Sequence, residues 1–330
     1  MPTYSDLIDY NIIQKMSITL YSIVFALGTI GNGLVIWIAG FRMKKTISAT
    51  WFLHLAIADF LCCASLPLRI AEWLYSDIQD FCCILSIFLF SINMNASVLL
   101  LTAMSIDRFI SVMWPFWVKF HRTSKLVKIT VAIIWLFSLL FSGLVFYLYA
   151  AYVYDLREWC LFNISVHDPH GMKQIFQLTR LAIMFAIPFL VIFISYVTIF
   201  LKLRQSRRPQ RSQRPYRIIT AVILCFFICW FPYYIWPLTP QYKLDYSCFE
   251  ILNNFIFNLA CLNSCINPII YVFMGQDFKH GFFKSIPSRL AKALSEQPND
   301  LCREQEDFEH ACTTVMINRN SPALSSSPVI

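Results

Sequence analysis

Charge is scarce in this chain. Of its 330 residues, 14% are Asp, Glu, Lys or Arg, 58% are hydrophobic, and thirty are Phe. An ordinary soluble domain is nearer ~25% charged and ~45–50% apolar. Thirty phenyl rings cannot be hidden in one water-soluble core of this size, so the surrounding solvent is expected to be lipid. Other absences narrow the class. No Cys-x-x-Cys pair and no Cys/His cluster marks a zinc site. No two halves share matching broken segments, and only Asp59 is read as a buried acid. That disfavours a transporter or channel, which needs repeat symmetry or paired charges along a path. No Ser/His pair or twin Asp offers an intramembrane catalytic set. His54 and Asp59 come nearest, but five residues apart they are not quite on one helix face; an enzyme is not expected. Residues 1–16 hold no apolar core ahead of a cleavage site, and neither a myristoylation nor a prenylation signal is present.

What is present is a series of long apolar runs. Seven of them, at about 17–40, 50–74, 83–113, 127–150, 174–202, 216–238 and 248–274, are each long enough to cross ~30 Å of hydrocarbon. The links alternate in charge. Arg42, Lys44 and Lys45 follow the first span, Lys119, Arg122 and Lys125 the third, and Arg204, Arg207, Arg208, Arg211 and Arg214 the fifth. Lys279, Lys284, Arg289 and Lys292 follow the seventh. The opposite links hold Asp77, Asp80, Asp155, Glu158, Asp168 and Asp245. Basic loops stay in the cytosol, which places the N-terminus outside and the C-terminus inside. The net charge of +8 is thus spent on topology and lipid headgroups, and nucleic acid is not an expected partner.

The third span is the most polar. Ser86, Ser91, Asn93, Asn95, Ser97, Thr102 and Ser105 lie in it. Unpaired polar groups are costly against lipid tails, so this span is expected at the centre of a bundle. Cys83 stands at its outer end and Asp107-Arg108-Phe109 at its inner end. The twenty-five steps between Cys83 and Arg108 measure about 37 Å of helix, so one rigid element can touch both aqueous phases.

The expected organisation is an all-α membrane protein. An extracellular arm at 1–16, holding Tyr4, Asp6, Asp9 and Tyr10, is expected to be a flexible, solvated terminus, with a docking strip for a basic ligand as the alternative. A seven-helix domain follows at 17–274. A short basic and aromatic segment at 275–290 reads as an interfacial helix. Residues 291–330, with Ser and Thr clusters, read as a disordered cytoplasmic tail open to phosphorylation. In the longest outer link, Asn163-Ile164-Ser165 is a glycosylation acceptor. The outside is oxidising, and Cys83–Cys160 is the expected bridge. Cys82 is the alternative to Cys83, and Cys82–Cys248 is a second bridge to test.

Charges inside the membrane are functional by default. Asp59, with Asn93, Ser97, Asn263 and Asn267 at similar depth, offers the oxygen ligands a sodium ion accepts; Asn32 lies at the same level. The alternative is a hydrogen-bonded core network around a protonated Asp59. Arg180, eight residues before Pro188, either snorkels to the headgroups or turns inward to take a carboxylate at the floor of an outer cavity. Arg69 is a second candidate, and Ser91 and Trp230 complete the candidate ligand set. Pro67, Pro188, Pro232 and Pro268 interrupt four spans, and Trp230 beside Pro232 is placed to turn ligand pressure into a tilt of the sixth.

These residues together resemble the rhodopsin-like G-protein-coupled receptors. Asn32, Leu55-Ala56-Ile57-Ala58-Asp59, Asp107-Arg108-Phe109, Trp135, Pro188, Tyr196, Cys229-Trp230-Phe231-Pro232 and Asn267-Pro268-Ile269-Ile270-Tyr271 fall one motif per span, in order. The likeness covers residues ~17 to ~285 and is closest to the chemoattractant branch, the chemerin and formyl-peptide receptors. Pro115-Phe116-Trp117, His121-Arg122-Thr123 and Tyr271-Val272-Phe273-Met274-Gly275-Gln276-Asp277-Phe278 carry it. The resemblance implies a plasma-membrane receptor in chemotaxis and inflammation that couples to inhibitory G proteins. Asp107 would hold Arg108 in the resting state, with Tyr196, Trp230, Pro232, Asn267, Pro268 and Tyr271 as moving parts. Arrestin would follow phosphorylation of the tail. Arg180 would meet the terminal carboxylate of a peptide ligand. A carboxylated lipid of the prostaglandin D kind, or a scavenger role without signalling, are the alternatives.

Overall fold

A computed structural model of the chain describes residues 4–43, 45–75, 79–152, 172–205, 214–239 and 246–274. Helices α1 (Tyr4–Trp37), α2 (Ile47–Leu74), α3 (Gln79–Met113), α4 (Pro115–His121) and α5 (Ser124–Tyr152) come first. They are followed by α6 (Met172–Leu181), α7 (Ile187–Gln205), α8 (Arg214–Ile235) and α9 (Tyr246–Met274). No strand occurs among the described residues. A π turn, Ile38–Arg42, closes α1, and a second, Ala182–Ala186, joins α6 to α7 into one continuous fifth span. Six spans are long and apolar enough to cross a membrane, by length and composition. The seventh, α9, lies outside that set; it carries Asn253, Asn254, Asn258, Asn263 and Asn267, whose amides need protein partners.

Residues 4–16 do not form the separate flexible arm expected of them: α1 is helical from Tyr4. The chain has no Gly or Pro between Pro2 and Gly28, so a helix nucleated in the apolar span propagates outward at one hydrogen bond per residue. At the end of the bundle that carries Arg108, two helix starts are capped. The Thr46 hydroxyl accepts from the Ala49 N–H at 3.1 Å to open α2, and the Thr123 hydroxyl accepts from the Leu126 N–H at 3.3 Å to open α5.

The third helix lies in the middle. It packs against α2, α5 and α7, while α1 packs against α2 and α9, and α9 against α8. Its polar side chains are interior as expected: Ser86, Asn93, Asn95, Ser97, Ser105 and Arg108 are all buried. Several satisfy themselves on the preceding turn. Ser86 donates to the Cys83 carbonyl at 2.9 Å, and Thr102 and Ser105 donate to the Val98 and Leu101 carbonyls at 2.7 Å each. Others tie helices together, since Asn95 and Ser91 both donate to the Ser142 hydroxyl on α5, at 3.0 and 3.1 Å. By contrast, α5 shows Leu126, Ile129, Ile133, Leu136 and Leu140 on its outer face, the surface that lipid covers.

Candidate functional site: an outer cationic basin and an inner arginine

At the outer end, two arginines turn inward. Arg180 on α6 is 6% exposed, and its guanidinium carbon lies 5.2 Å from the Tyr233 ring centre and 5.4 Å from that of Tyr234. Of the two readings of Arg180, this is the inward one. Arg69 on α2 is also 6% exposed, lies 4.6 Å over the Phe257 ring, and donates through Nη1 to Glu72 Oε2 at 2.6 Å. The Arg69 Nε–H is buried with no acceptor among the described residues. Between them Phe90 touches Phe257 at 4.5 Å, Trp230 at 5.0 Å and Tyr233 at 5.4 Å. The two guanidinium groups thus flank one buried aromatic cluster of Phe90, Tyr233, Tyr234 and Phe257, the setting in which ring faces meet a buried cation.

Ser91 is not part of that cluster: its hydroxyl faces α5 and bonds Ser142. Glu72, Phe90, Tyr233 and Phe257, absent from the expected set, are the side chains that meet the two arginines or join them. Cys83 is disulfide-bonded, whereas Cys82 and Cys248 are free thiols, so the Cys82–Cys248 bridge does not form. Cys160 and Asn163 lie outside the described residues.

At mid-depth, Asp59 is fully buried and each carboxylate oxygen accepts an amide. Asn93 Nδ2 donates to Oδ1 at 3.1 Å and Asn267 Nδ2 to Oδ2 at 2.7 Å. Ser264, which sequence reasoning passed over among its asparagine neighbours, donates to Asn93 Oδ1 at 3.5 Å. Its carbonyl accepts from Asn32 Nδ2 at 2.7 Å. Ser97 is one turn from Asn93, and Asn263 one turn from Asn267, each on the same face. Ser97 Oγ, Asn267 Oδ1 and both amide atoms of Asn263 are buried without partners among the described residues. Of these, Asn267 Oδ1 belongs to an amide that meets Asp59, and a neutral amide oxygen is a donor that a small hard cation accepts.

At the inner end, the expected hold of Asp107 on Arg108 is replaced by another. Asp107 is gripped by Arg122 in a two-point bridge, Nε to Oδ1 and Nη2 to Oδ2, both 2.7 Å. Arg108, 1% exposed, turns to α2 and donates through Nη2 to the Ser48 hydroxyl at 2.6 Å. The reason is local: adjacent residues on a helix point apart, whereas α4 carries Arg122 back to the Asp107 face. Trp135 donates from Nε1 to His54 Nδ1 at 3.2 Å, so His54 is a helix contact. Trp230 is fully buried against Phe226, Tyr233 and Phe90. Pro232 and Pro268 lie inside α8 and α9, and Tyr196 packs against the core. Tyr271 lies on α9, in its last turn. The segments 275–290 and 291–330 are outside the described residues.

Comparison with known proteins gives one consistent answer. The family model described as "7 transmembrane receptor (rhodopsin family)" matches residues 31–271. Among curated proteins, "Chemerin-like receptor 1" of Sus scrofa is 37% identical over 308 residues, covering 86% of this chain and 84% of the relative. "Formyl peptide receptor 2" of Mus musculus is 36% identical over 301 residues, covering 85% and 86%. "C3a anaphylatoxin chemotactic receptor" of Danio rerio is 36% identical over 302 residues, covering 89% and 81%.

Proposed function

This chain belongs to the rhodopsin family of seven-transmembrane receptors, and from that membership we propose that it answers an extracellular peptide ending in a free carboxylate by activating inhibitory G proteins. It is a multi-pass chemoattractant-type receptor related to the formyl peptide, chemerin and C3a receptors. The finer reading rests on Arg180. A guanidinium turned inward over Tyr233 and Tyr234 has left the headgroup layer for the bundle interior. Such a burial is costly unless an anion or aromatic faces meet it, and a carboxylate arriving from outside would be taken by two parallel hydrogen bonds. Arg69 is the second donor, its charge shared with Glu72. Several relatives are named as formyl peptide receptors, which favours a peptide over a lipid here.

The receptor sits in the plasma membrane with the N-terminus outside. Ligand in the basin presses on Trp230, α8 swings about Pro232, and Arg108 leaves Ser48 for the G protein. Asp59, Asn93, Ser97, Asn263 and Asn267 would hold a sodium ion, whose charge offsets the buried carboxylate and steadies the resting bundle. Phosphorylation of the tail recruits arrestin.

Competition binding tests the ligand class. A hydrophobic N-formylated peptide is offered as the free acid and as its C-terminal amide, beside a prostaglandin D-type acid. The free acid is expected to bind at least ~10-fold tighter than the amide, as for loss of a charge-assisted pair, and Arg180→Ala to erase the difference. Equal or better binding of the amide would remove Arg180 as the anchor; better binding of the lipid would move the assignment to the lipid mediators.

A further inference from the structure

We propose that Phe90 is the positioning residue through which the state of the buried Arg69 guanidinium reaches Trp230. This rests on the reading that the outer basin receives an anion, and it names the route by which the basin is read out. Phe90, 3% exposed on α3, is in contact with rings from two other helices. It stacks on Phe257 of α9 with centroids 4.5 Å apart and planes 28° apart. On its other side it meets Trp230 of α8 at 5.0 Å and 43°. Arg69 lies 4.6 Å over the same Phe257, and Tyr21 of α1 braces that ring edge-on at 6.2 Å. A guanidinium, two stacked rings and an indole thus form one contiguous column from buried Arg69 to the residue two before Pro232.

The lower end of the column is held by rings. The Trp230 indole N–H is buried and has no hydrogen-bond partner among the described residues. Its position is set by packing against Phe90, Phe226 and Tyr233. Close-packed rings move together, because a gap of under 1 Å already forfeits a quarter to a half of a contact's attraction. An anion that draws Arg69 off Phe257 lets Phe257 and Phe90 shift, and the indole follows.

The test needs neither ligand nor G protein. The full-length receptor is labelled with 5-fluorotryptophan and placed in lipid nanodiscs, and the Trp230 resonance is assigned by Trp230→Phe. Arg69→Lys keeps the charge opposite Glu72 but removes the planar group that lies on Phe257. It is expected to move or split the Trp230 resonance when Phe90 is present. In a Phe90→Leu background, or Phe90→Met if that variant expresses better, Arg69→Lys is expected to leave the resonance in place. Phe90→Tyr, which retains a ring, should restore the response. An Arg69→Lys response of equal size with and without the Phe90 ring, or none in either, overturns the proposal. Both outcomes can be read whether or not the carboxylate preference or the G-protein response holds.

Discussion

A side chain at Gly28 would have nowhere to go. A Cβ built there falls 2.2 Å from Cys63 Sγ and 3.4 Å from Cys265 Cβ, so α1 approaches α2 as closely as the thiol allows. Gly28→Ala is expected to cost about 1–3 kcal/mol of stability, the usual penalty of overpacking a filled core. Cys63→Ala in the same chain should return most of it; thermal unfolding of the purified receptor measures both. The buried Arg69–Glu72 pair gives a second expectation at this scale. Glu72→Gln strands the guanidinium and is expected to destabilise by about 3–5 kcal/mol. Replacing both partners at once, as Arg69→Met with Glu72→Leu, should cost much less in the same unfolding assay. Neither Glu72 nor Phe90 was legible beforehand. Phe90 is one of thirty Phe in an apolar chain, and only its place at the meeting of three helices distinguishes it. Glu72 sits near the end of a span, where a carboxylate reads as headgroup-facing until its i,i+3 partner is known to be buried.

Among the elements, α4 is the one held least by burial. None of its residues is buried, and Trp114, Phe116, Trp117 and Phe120 are exposed around it. What ties it to α3 is the Arg122–Asp107 bridge and the edge contact of Phe109 with Trp114 at 5.7 Å. Arg122→Ala is therefore expected to speed amide hydrogen exchange over residues 116–121 by at least ~10-fold, the loss of charge-assisted hydrogen bonds worth ~1.5–3 kcal/mol each. Exchange in α2 should be unchanged, and an equal rise in both would mean global loosening instead. The Asp107-Arg108-Phe109 run identifies the inner end of α3 from sequence, but it does not say which arginine Asp107 holds. That depends on α4 returning Arg122 across fifteen residues. The polar third helix was legible because cost follows composition: so many Ser and Asn in one span have no lipid-facing solution. The helical start at Tyr4 was not, since polar residues outside a membrane are compatible with either helix or loop.

The whole molecule is a helical bundle in which one buried helix carries Phe90, within the aromatic cluster that meets Arg69 and Arg180, and Arg108 toward its opposite end. Its orientation makes a simple expectation. Cys248 is a free, exposed thiol at the start of α9, on the side where the N-terminus is placed. A membrane-impermeant maleimide added to intact cells is expected to label the receptor, and Cys248→Ser to abolish that labelling. Labelling that requires permeabilisation would reverse the topology drawn from the basic loops. The long apolar runs were sufficient to mark the spans, six of which the described helices match by length and composition; the ring contacts between spans exist only once the helices are assembled.

Arg108 is the most direct point of measurement for the link between the two ends. In cells with forskolin-raised cyclic AMP, a bound free-acid peptide is expected to lower cyclic AMP through the wild-type receptor. Arg108→Ala at equal surface density should bind the peptide within a few-fold of wild type and give no decrease. A wild-type receptor that binds the peptide and leaves cyclic AMP unchanged would make it a scavenger, and an Arg108→Ala receptor that signals in full would break the link from basin to cytosol.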